Sequence, residues 1–148
     1  KDSQKNILFL TSPLTENGWV EYENQELFLI KKIISKINQK SDKISIYLKL
    51  HYREKSSKYN QFLNNRNIIY LPKNLPSQIF TSVIKPKIII GFHSSAIFDY
   101  PSALKFISLS KFIKTKECIS LAKGLEIYKD YFCQLTLLEN IDEIHSLL

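Results

Sequence analysis

Short runs that are apolar at every position, alternating with longer amphipathic stretches, most constrain how this chain can fold. Ile7–Leu10 and Ile88–Ile90 are such runs, and they are typical of parallel strands that are covered on both faces. Segments of this kind, rich in β-branched and aromatic residues, are predicted as strands. They are Ile7–Ser12, Ile44–Leu50, Asn67–Leu71, Lys87–Gly91 and Leu104–Leu109.

Helical patterns lie between and after these strands. Apolar residues recur every three or four positions within Tyr22–Lys40, and Pro76 falls near the start of a second helix, Asn74–Ile84. Further helices are predicted at Ser94–Phe98, Cys118–Tyr131 and Ile141–Leu148. Alternating strands and helices predict an α/β fold, a Rossmann-like parallel sheet flanked by helices. No linker divides the chain, so we expect residues 1–148 to form one domain.

Composition narrows the function classes. The net charge of +7 comes from lysines spread along the chain rather than blocked together, so no nucleic-acid partner is expected. Cys118 and Cys133 lack metal-ligand spacing, which favours free thiols in a reducing, cytoplasmic location. The chain contains no methionine, and we expect it to be a piece of a longer protein.

Familiar cofactor motifs are absent from the sequence. It contains no G-x-G-x-x-G, no P-loop, no Asp-x-Asp and no His/Cys cluster. The sequence therefore gives little support for dinucleotide binding, for nucleoside-triphosphatase activity or for metal-dependent chemistry. Neither a cofactor nor a metal is expected.

Candidate site residues follow the predicted strands, because ligands of open parallel sheets bind at the carboxyl ends of the strands. His51 and Arg53 follow the second strand, where an imidazole and a guanidinium suit a phosphate. The alternative is that Arg53 and Glu54 begin a solvated helix. Glu16, in a turn after the first strand, is a candidate general base.

Gly91 ends the fourth strand, and Ser94 and Ser95 open the next helix. Hydroxyls beside free backbone N–H groups at a helix N-terminus can hold a phosphate. The alternative is an ordinary N-cap, which the spacing alone favours. Glu21 and Glu23 are interpreted as acidic residues in the first turn of a helix.

These loops together resemble the nucleotide-binding half of bacterial GT-B sialyltransferases. The chain is similar to the C-terminal half of the lipooligosaccharide sialyltransferases of glycosyltransferase family 52 and of the related polysialyltransferases. Their Lys-x-His-Pro-Arg motif corresponds to Lys49–Arg53, with Tyr52 in place of proline. Their Ser-Ser motif corresponds to Ser94-Ser95, and their Pro-x-Glu to Pro76-Ser77-Gln78, with glutamine in place of glutamate.

The resemblance implies inverting, metal-independent transfer of sialic acid from CMP-sialic acid to a lipooligosaccharide or capsule glycan. His51 would stabilise or protonate the departing phosphate, which Ser94 and Ser95 would also bind. Gln78 would contact the ribose, and the loop from Pro72 to Pro76 would border the cytosine. It also implies peripheral contact with the inner face of the bacterial cytoplasmic membrane, and an oligomer is compatible with the sequence.

Other functions remain open at this point. A phosphate site does not identify a base, so a GT-B transferase using a UDP- or GDP-sugar is one alternative. A non-catalytic module that binds a nucleotide or phosphosugar is another, if His51 and the two serines only form turns and caps. A lysine-rich domain docking on an anionic membrane is a further one.

Overall fold

The structure, a computed structural model, describes residues 5–41, 43–94, 96, 100–101, 103–116 and 134–148. Its strands are β1 (Lys5–Leu10), β2 (Ile44–Lys49), β3 (Ile68–Leu71), β4 (Ile88–Gly91), β5 (Lys105–Ser108) and β6 (Gln134–Leu137). Its helices are α1 (Gln25–Lys40), α2 (Ser77–Ile84) and α3 (Ile144–Leu147), with 3₁₀ helices at Ser56–Phe62, Ser110–Phe112 and Ile141–Glu143.

The strands of the described ranges form one six-stranded sheet in the order β3-β2-β1-β4-β5-β6. Every neighbouring pair is parallel. The order reverses between β1 and β4, which is the point at which doubly wound sheets place their ligands. The predicted α/β Rossmann-like fold is confirmed.

Both faces of the sheet are buried, as the continuous apolar runs predict. Ile7 and Phe9 belong to a core on the face that α1, the 3₁₀ helix Ser56–Phe62 and α3 cover. Leu8 and Leu10 point to the other face and pack with Ile89 and Phe106. On that face the side-chain amide of Asn6 donates to the carbonyl of Ile84 at 2.8 Å, which ties α2 to β1.

The helix α1 begins three residues later than predicted, at Gln25 rather than Tyr22. Asn24 has a φ of 61°, a left-handed conformation that a helix cannot continue through. The prediction that Glu21 and Glu23 occupy the first turn is therefore wrong. The acid in that turn is Glu26, which is buried and accepts hydrogen bonds from the backbone N–H and the hydroxyl of Thr15.

The last strand, β6, was not predicted. It has four residues and, among the described strands, pairs with β5 alone at the edge of the sheet, so its pattern is too short to distinguish from a loop. The predicted C-terminal helix is present as the 3₁₀ turn Ile141–Glu143 followed by α3. The predicted helix Cys118–Tyr131, both cysteines and most of Ser94–Phe98 lie outside the described residues.

Within the described ranges, no helix combines the length and the apolar character that crossing a bilayer requires.

Candidate functional site

A cleft of about 380 Å³ opens at the carboxyl ends of β1, β2, β3 and β4, where the strand order reverses. Its lining comes from the loops that follow these strands and from the start of α2. Among the described residues that form it, two are lysines and none is acidic. They are Leu10, Thr11, Lys49, Leu50, His51, Tyr52, Lys73, Asn74, Leu75, Pro76, Ser77, Gln78, Ser94 and Ala96. This electrostatic character favours an anionic ligand.

The cleft brings together three residues that the sequence selected from separate loops. His51, Gln78 and Ser94 all line it, although they lie up to 43 positions apart in the chain. The other described candidates are not among its lining residues: Glu16, Arg53, Pro72 and Gly91. Ser95 lies outside the described residues.

The hydrogen bond and the charges around His51 define its tautomer and its protonation state. Its Nδ1 accepts a hydrogen bond from the backbone N–H of Arg53 at 3.3 Å, so in the neutral imidazole the proton sits on Nε2. Burial lowers the pKa of His51 below its ordinary 6.5, and the charges of Arg53 and Lys49 lower it further, while Glu16 acts in the opposite direction. His51 is therefore a neutral ring that offers an Nε2–H donor.

The charges around His51 give opposite predictions for its pKa. Arg53→Ala removes a positive charge and should raise it, whereas Glu16→Gln removes a negative charge and should lower it. An NMR titration of the imidazole Cε1 proton in the two variants and the wild type measures both shifts. Shifts of the same sign in both variants would contradict this electrostatic account.

The lowered pKa of His51 also sets the sign of its effect on stability. Between the folded pKa and 6.5, the unfolded chain binds more protons at this residue than the folded chain. His51 therefore makes its full contribution to the free energy of unfolding above pH 6.5. This contribution is lost as the pH falls from 6.5 through the lower pKa of the folded state. His93, whose pKa is also lowered by burial, acts with the same sign.

A buried carboxylate fixes the backbone of the His51 loop. Glu54, 1% exposed, accepts hydrogen bonds from the backbone N–H of His51 at 3.0 Å and from the hydroxyls of Thr11 and Tyr59. The Thr11 hydroxyl oxygen also accepts from the same N–H of His51, at 3.0 Å. Burial raises the pKa of Glu54, and the bonds from Thr11 and Tyr59 oppose that rise. The suggestion that Arg53 and Glu54 begin a solvated helix is wrong.

Lys58 lies at the centre of three carboxylates. Its Nζ is 2.6 Å from Glu26, 3.2 Å from Glu16 and 3.5 Å from Glu54. Oxygens of these acids lie within 4.8 Å of one another, close enough for a cation, and in this structure the cation between them is the lysine ammonium. Glu16, the candidate base, is therefore held in an ion pair beside the cleft.

Lys49 joins the two loops that border the cleft. Its Nζ donates to the carbonyls of Leu50 and Lys73, each at 2.9 Å. Burial lowers the pKa of this side chain, and the nearby Glu54 carboxylate opposes the change. Lys73 in turn donates to the carbonyl of Glu54 at 3.1 Å. Both lysines thus bring positive charge to the cleft and connect the end of β2 to the loop after β3.

Ser94 and Gly91 occupy different environments at the end of β4. The hydroxyl of Ser94 accepts the backbone N–H of Ala96 at 3.2 Å, as in the predicted cap, and its own O–H can still donate into the cleft. At Gly91, a Cβ would lie 3.2 Å from the carbonyl oxygen of Leu10 and from the ring of Phe106. The absence of a side chain there serves the packing of neighbouring strands.

Sequence reasoning missed the supporting residues of this site. Glu54 and Lys58 read as ordinary surface charges beside the basic, polar segment that follows β2. Lys49 was noted only as the first residue of the Lys-x-His-Pro-Arg motif. Its place at the end of a buried strand, two positions before His51 and therefore on the same side of the chain, was a further signal. The burial of these charges depends on contacts between distant segments.

Comparison with known proteins identifies the family. No curated protein matches the chain. The family model of glycosyltransferase family 52 matches residues 1–117, a range that includes β1 to β5 and every cleft residue named above. The chain therefore belongs to glycosyltransferase family 52, whose enzymes transfer a sugar from a sugar-nucleotide donor to a glycan acceptor.

Proposed function

We propose that the cleft binds the CMP part of CMP-sialic acid and that the enzyme transfers sialic acid to a hydroxyl of a lipooligosaccharide or capsule glycan. The observation that carries this proposal is the convergence of His51, Gln78 and Ser94 in a cleft lined by lysines and, among its described residues, by no acid. The same three residues stand where the sialyltransferases of the family have their His, Pro-x-Glu and Ser-Ser motifs. CMP as the donor nucleotide rests on that likeness.

At the phosphate end, His51 and Ser94 would act as hydrogen-bond donors. A neutral imidazole that gave up its Nε2 proton would become an anion, so His51 is better suited to donate a hydrogen bond to the departing phosphate than to protonate it. The Ser94 hydroxyl would donate beside it. With Lys49 and Lys73 these side chains would supply the charge stabilisation that leaving CMP needs, which is why we propose a metal-independent reaction.

At the nucleoside end, the start of α2 would hold the ribose and the base. Pro76, which directly precedes this helix, and Ser77 and Gln78 in its first turn line the cleft. Gln78 would contact a ribose hydroxyl as a neutral amide. The loop from Pro72 to Pro76 would border the cytosine.

The acceptor hydroxyl needs a base, and inversion requires its attack from the side opposite the leaving CMP. Glu16 remains our candidate for this base. The proposal also treats the chain as one nucleotide-binding domain, the C-terminal half of a GT-B enzyme working peripherally at the inner face of the cytoplasmic membrane.

Calorimetric titration of the chain with CMP, UMP, GMP and AMP tests this proposal. We expect CMP to bind most tightly. A preference for UMP or GMP would indicate that the sugar donor is a UDP- or GDP-sugar rather than CMP-sialic acid. Absence of binding by all four nucleotides would contradict the assignment of the cleft as the donor site.

Ser94→Ala should weaken CMP binding by about tenfold, which is the scale of one hydrogen bond to a charged group. Ser41→Ala is a matched control, because the hydroxyl of Ser41 also accepts the backbone N–H two residues later, that of Lys43 at 3.1 Å, away from the cleft. The same titration measures both variants. Equal CMP affinity in the two variants would show that Ser94 does not contact the nucleotide.

A further inference from the structure

Tyr52 presents a large aromatic surface to solvent in the cleft. It is 61% exposed, it lines the cleft, and its ring centroid is 4.4 Å from that of His51. The family motif has proline at this place, so this ring distinguishes the present chain. An apolar face left in water beside the reacting groups is a surface that a ligand can cover.

The ring is held in place although it is exposed. The Nε of Arg53 donates to the Tyr52 hydroxyl at 3.0 Å, and the guanidinium carbon lies 5.5 Å from the ring centroid. A terminal nitrogen of Arg53 donates in turn to the side-chain carbonyl of Asn17 at 3.5 Å. Tyr52 is thus connected to the loop that follows β1. Such ordering before a ligand arrives reduces the entropy that binding costs.

The chemistry around the ring suits a pyranose. One face of a pyranose is made largely of C–H groups, which pack on an aromatic ring, while its hydroxyls point outward to polar groups. The guanidinium of Arg53 provides a planar donor at the Tyr52 hydroxyl, and the amide of Asn17 lies next to that guanidinium. His51 marks the phosphate end of the proposed nucleotide, and the sugar groups of a glycosyl transfer meet at that end.

We infer that Tyr52 is a stacking surface for a pyranose ring at the mouth of the cleft. The inference rests on the proposed function in taking His51 as the phosphate contact and a sialyl group as the donor sugar. Two sugars meet there in the reaction, the sialyl group of the donor and the terminal sugar of the acceptor. Both share the chemistry described, and the experiment distinguishes them.

The test is an NMR titration of the chain with methyl β-sialoside, which has the anomeric configuration of the donor, with methyl β-lactoside and with CMP. Tyr52→Ala should weaken the binding of one of the two glycosides by about fivefold or more, and by a larger factor than it weakens the binding of CMP. Tyr52→Phe keeps the ring and should retain the affinity. Loss of sialoside binding identifies the donor sugar, and loss of lactoside binding identifies the acceptor sugar.

Tyr22→Ala is the matched control. Tyr22 is 57% exposed and lies beneath the ammonium of Lys114, which is 5.9 Å from the ring centroid, but it does not line the cleft. Tyr52→Pro, which restores the family's residue, is a second variant without the ring. The inference is overturned if the wild type binds neither glycoside or if Tyr52→Ala and Tyr52→Pro bind both glycosides normally. It is also overturned if these two variants lose affinity for CMP by the same factor as for the glycosides. Failure of CMP to bind the wild type would instead contradict the proposed function.

Discussion

His51→Ala is expected to reduce glycosyl transfer by about 100-fold or more, while nucleotide affinity stays within about tenfold of the wild type. The physical reason is that the phosphate gains negative charge as the bond to the sugar breaks. A fixed Nε2–H group that donates a hydrogen bond therefore stabilises that transition state more than it stabilises the bound sugar nucleotide. Steady-state kinetics of the enzyme, with CMP affinity from calorimetry, separate the two effects.

Two further variants specify the role of His51. His51→Gln should recover part of the lost turnover, because its side-chain amide can donate a hydrogen bond but cannot act as an acid at neutral pH. His145→Ala is the control, since His145 bonds the carbonyl of Lys36 at 3.0 Å and does not line the cleft. Normal turnover of His51→Ala would refute the assignment of His51. Equally low turnover of His51→Gln and His51→Ala would favour proton transfer over hydrogen bonding.

Glu54→Ala is expected to lower the free energy of unfolding by about 3 kcal/mol. The change removes the acceptor of the fully buried Tyr59 hydroxyl and leaves the Thr11 hydroxyl with only the more distant carbonyl of Lys49, at 3.4 Å. Lys58 keeps Glu26 and Glu16 as partners, which limits the loss. Urea unfolding measures the effect as a shift of the midpoint at constant slope.

Glu139→Ala provides the comparison for an exposed carboxylate. Glu139 pairs with Lys111 at the surface, with 66% of its side chain exposed, and its removal should cost less than about 1 kcal/mol. Comparable losses in the two variants would contradict the view that Glu54 is a buried structural anchor of the His51 loop. Glu54→Gln, which keeps the volume and one acceptor oxygen, should fall between them.

Local patterns were sufficient for most of the fold. The runs Ile7–Leu10 and Ile88–Ile90 predicted parallel strands covered on both faces, and the three-to-four spacing within α1 predicted its buried face. Both patterns reflect a period imposed by the backbone itself, and they can be recognised without knowledge of distant residues. The start of α1 was misplaced because a left-handed Asn24 has no reliable local signature.

The loops that form the cleft were predicted from the sequence, but the residues that line it were predicted only in part. Placing ligands at the carboxyl ends of parallel strands selected the loops that contain His51, Gln78 and Ser94, which do meet. The same rule cannot tell which residues of a loop face the cleft. Arg53 and Pro72 follow the correct strands yet do not line it.

The sequence by itself determined the α/β class, the alternation of elements and the loops in which a site would form, because hydrophobic periodicity acts over a few residues. Tertiary structure alone decided the edge strand β6, the burial of Glu54 and the position of Lys58 among three carboxylates. Whether a charge is solvated or buried depends on what packs over it. The partners that stabilise Glu54 come from Thr11, 43 positions away, and from the 3₁₀ helix that follows.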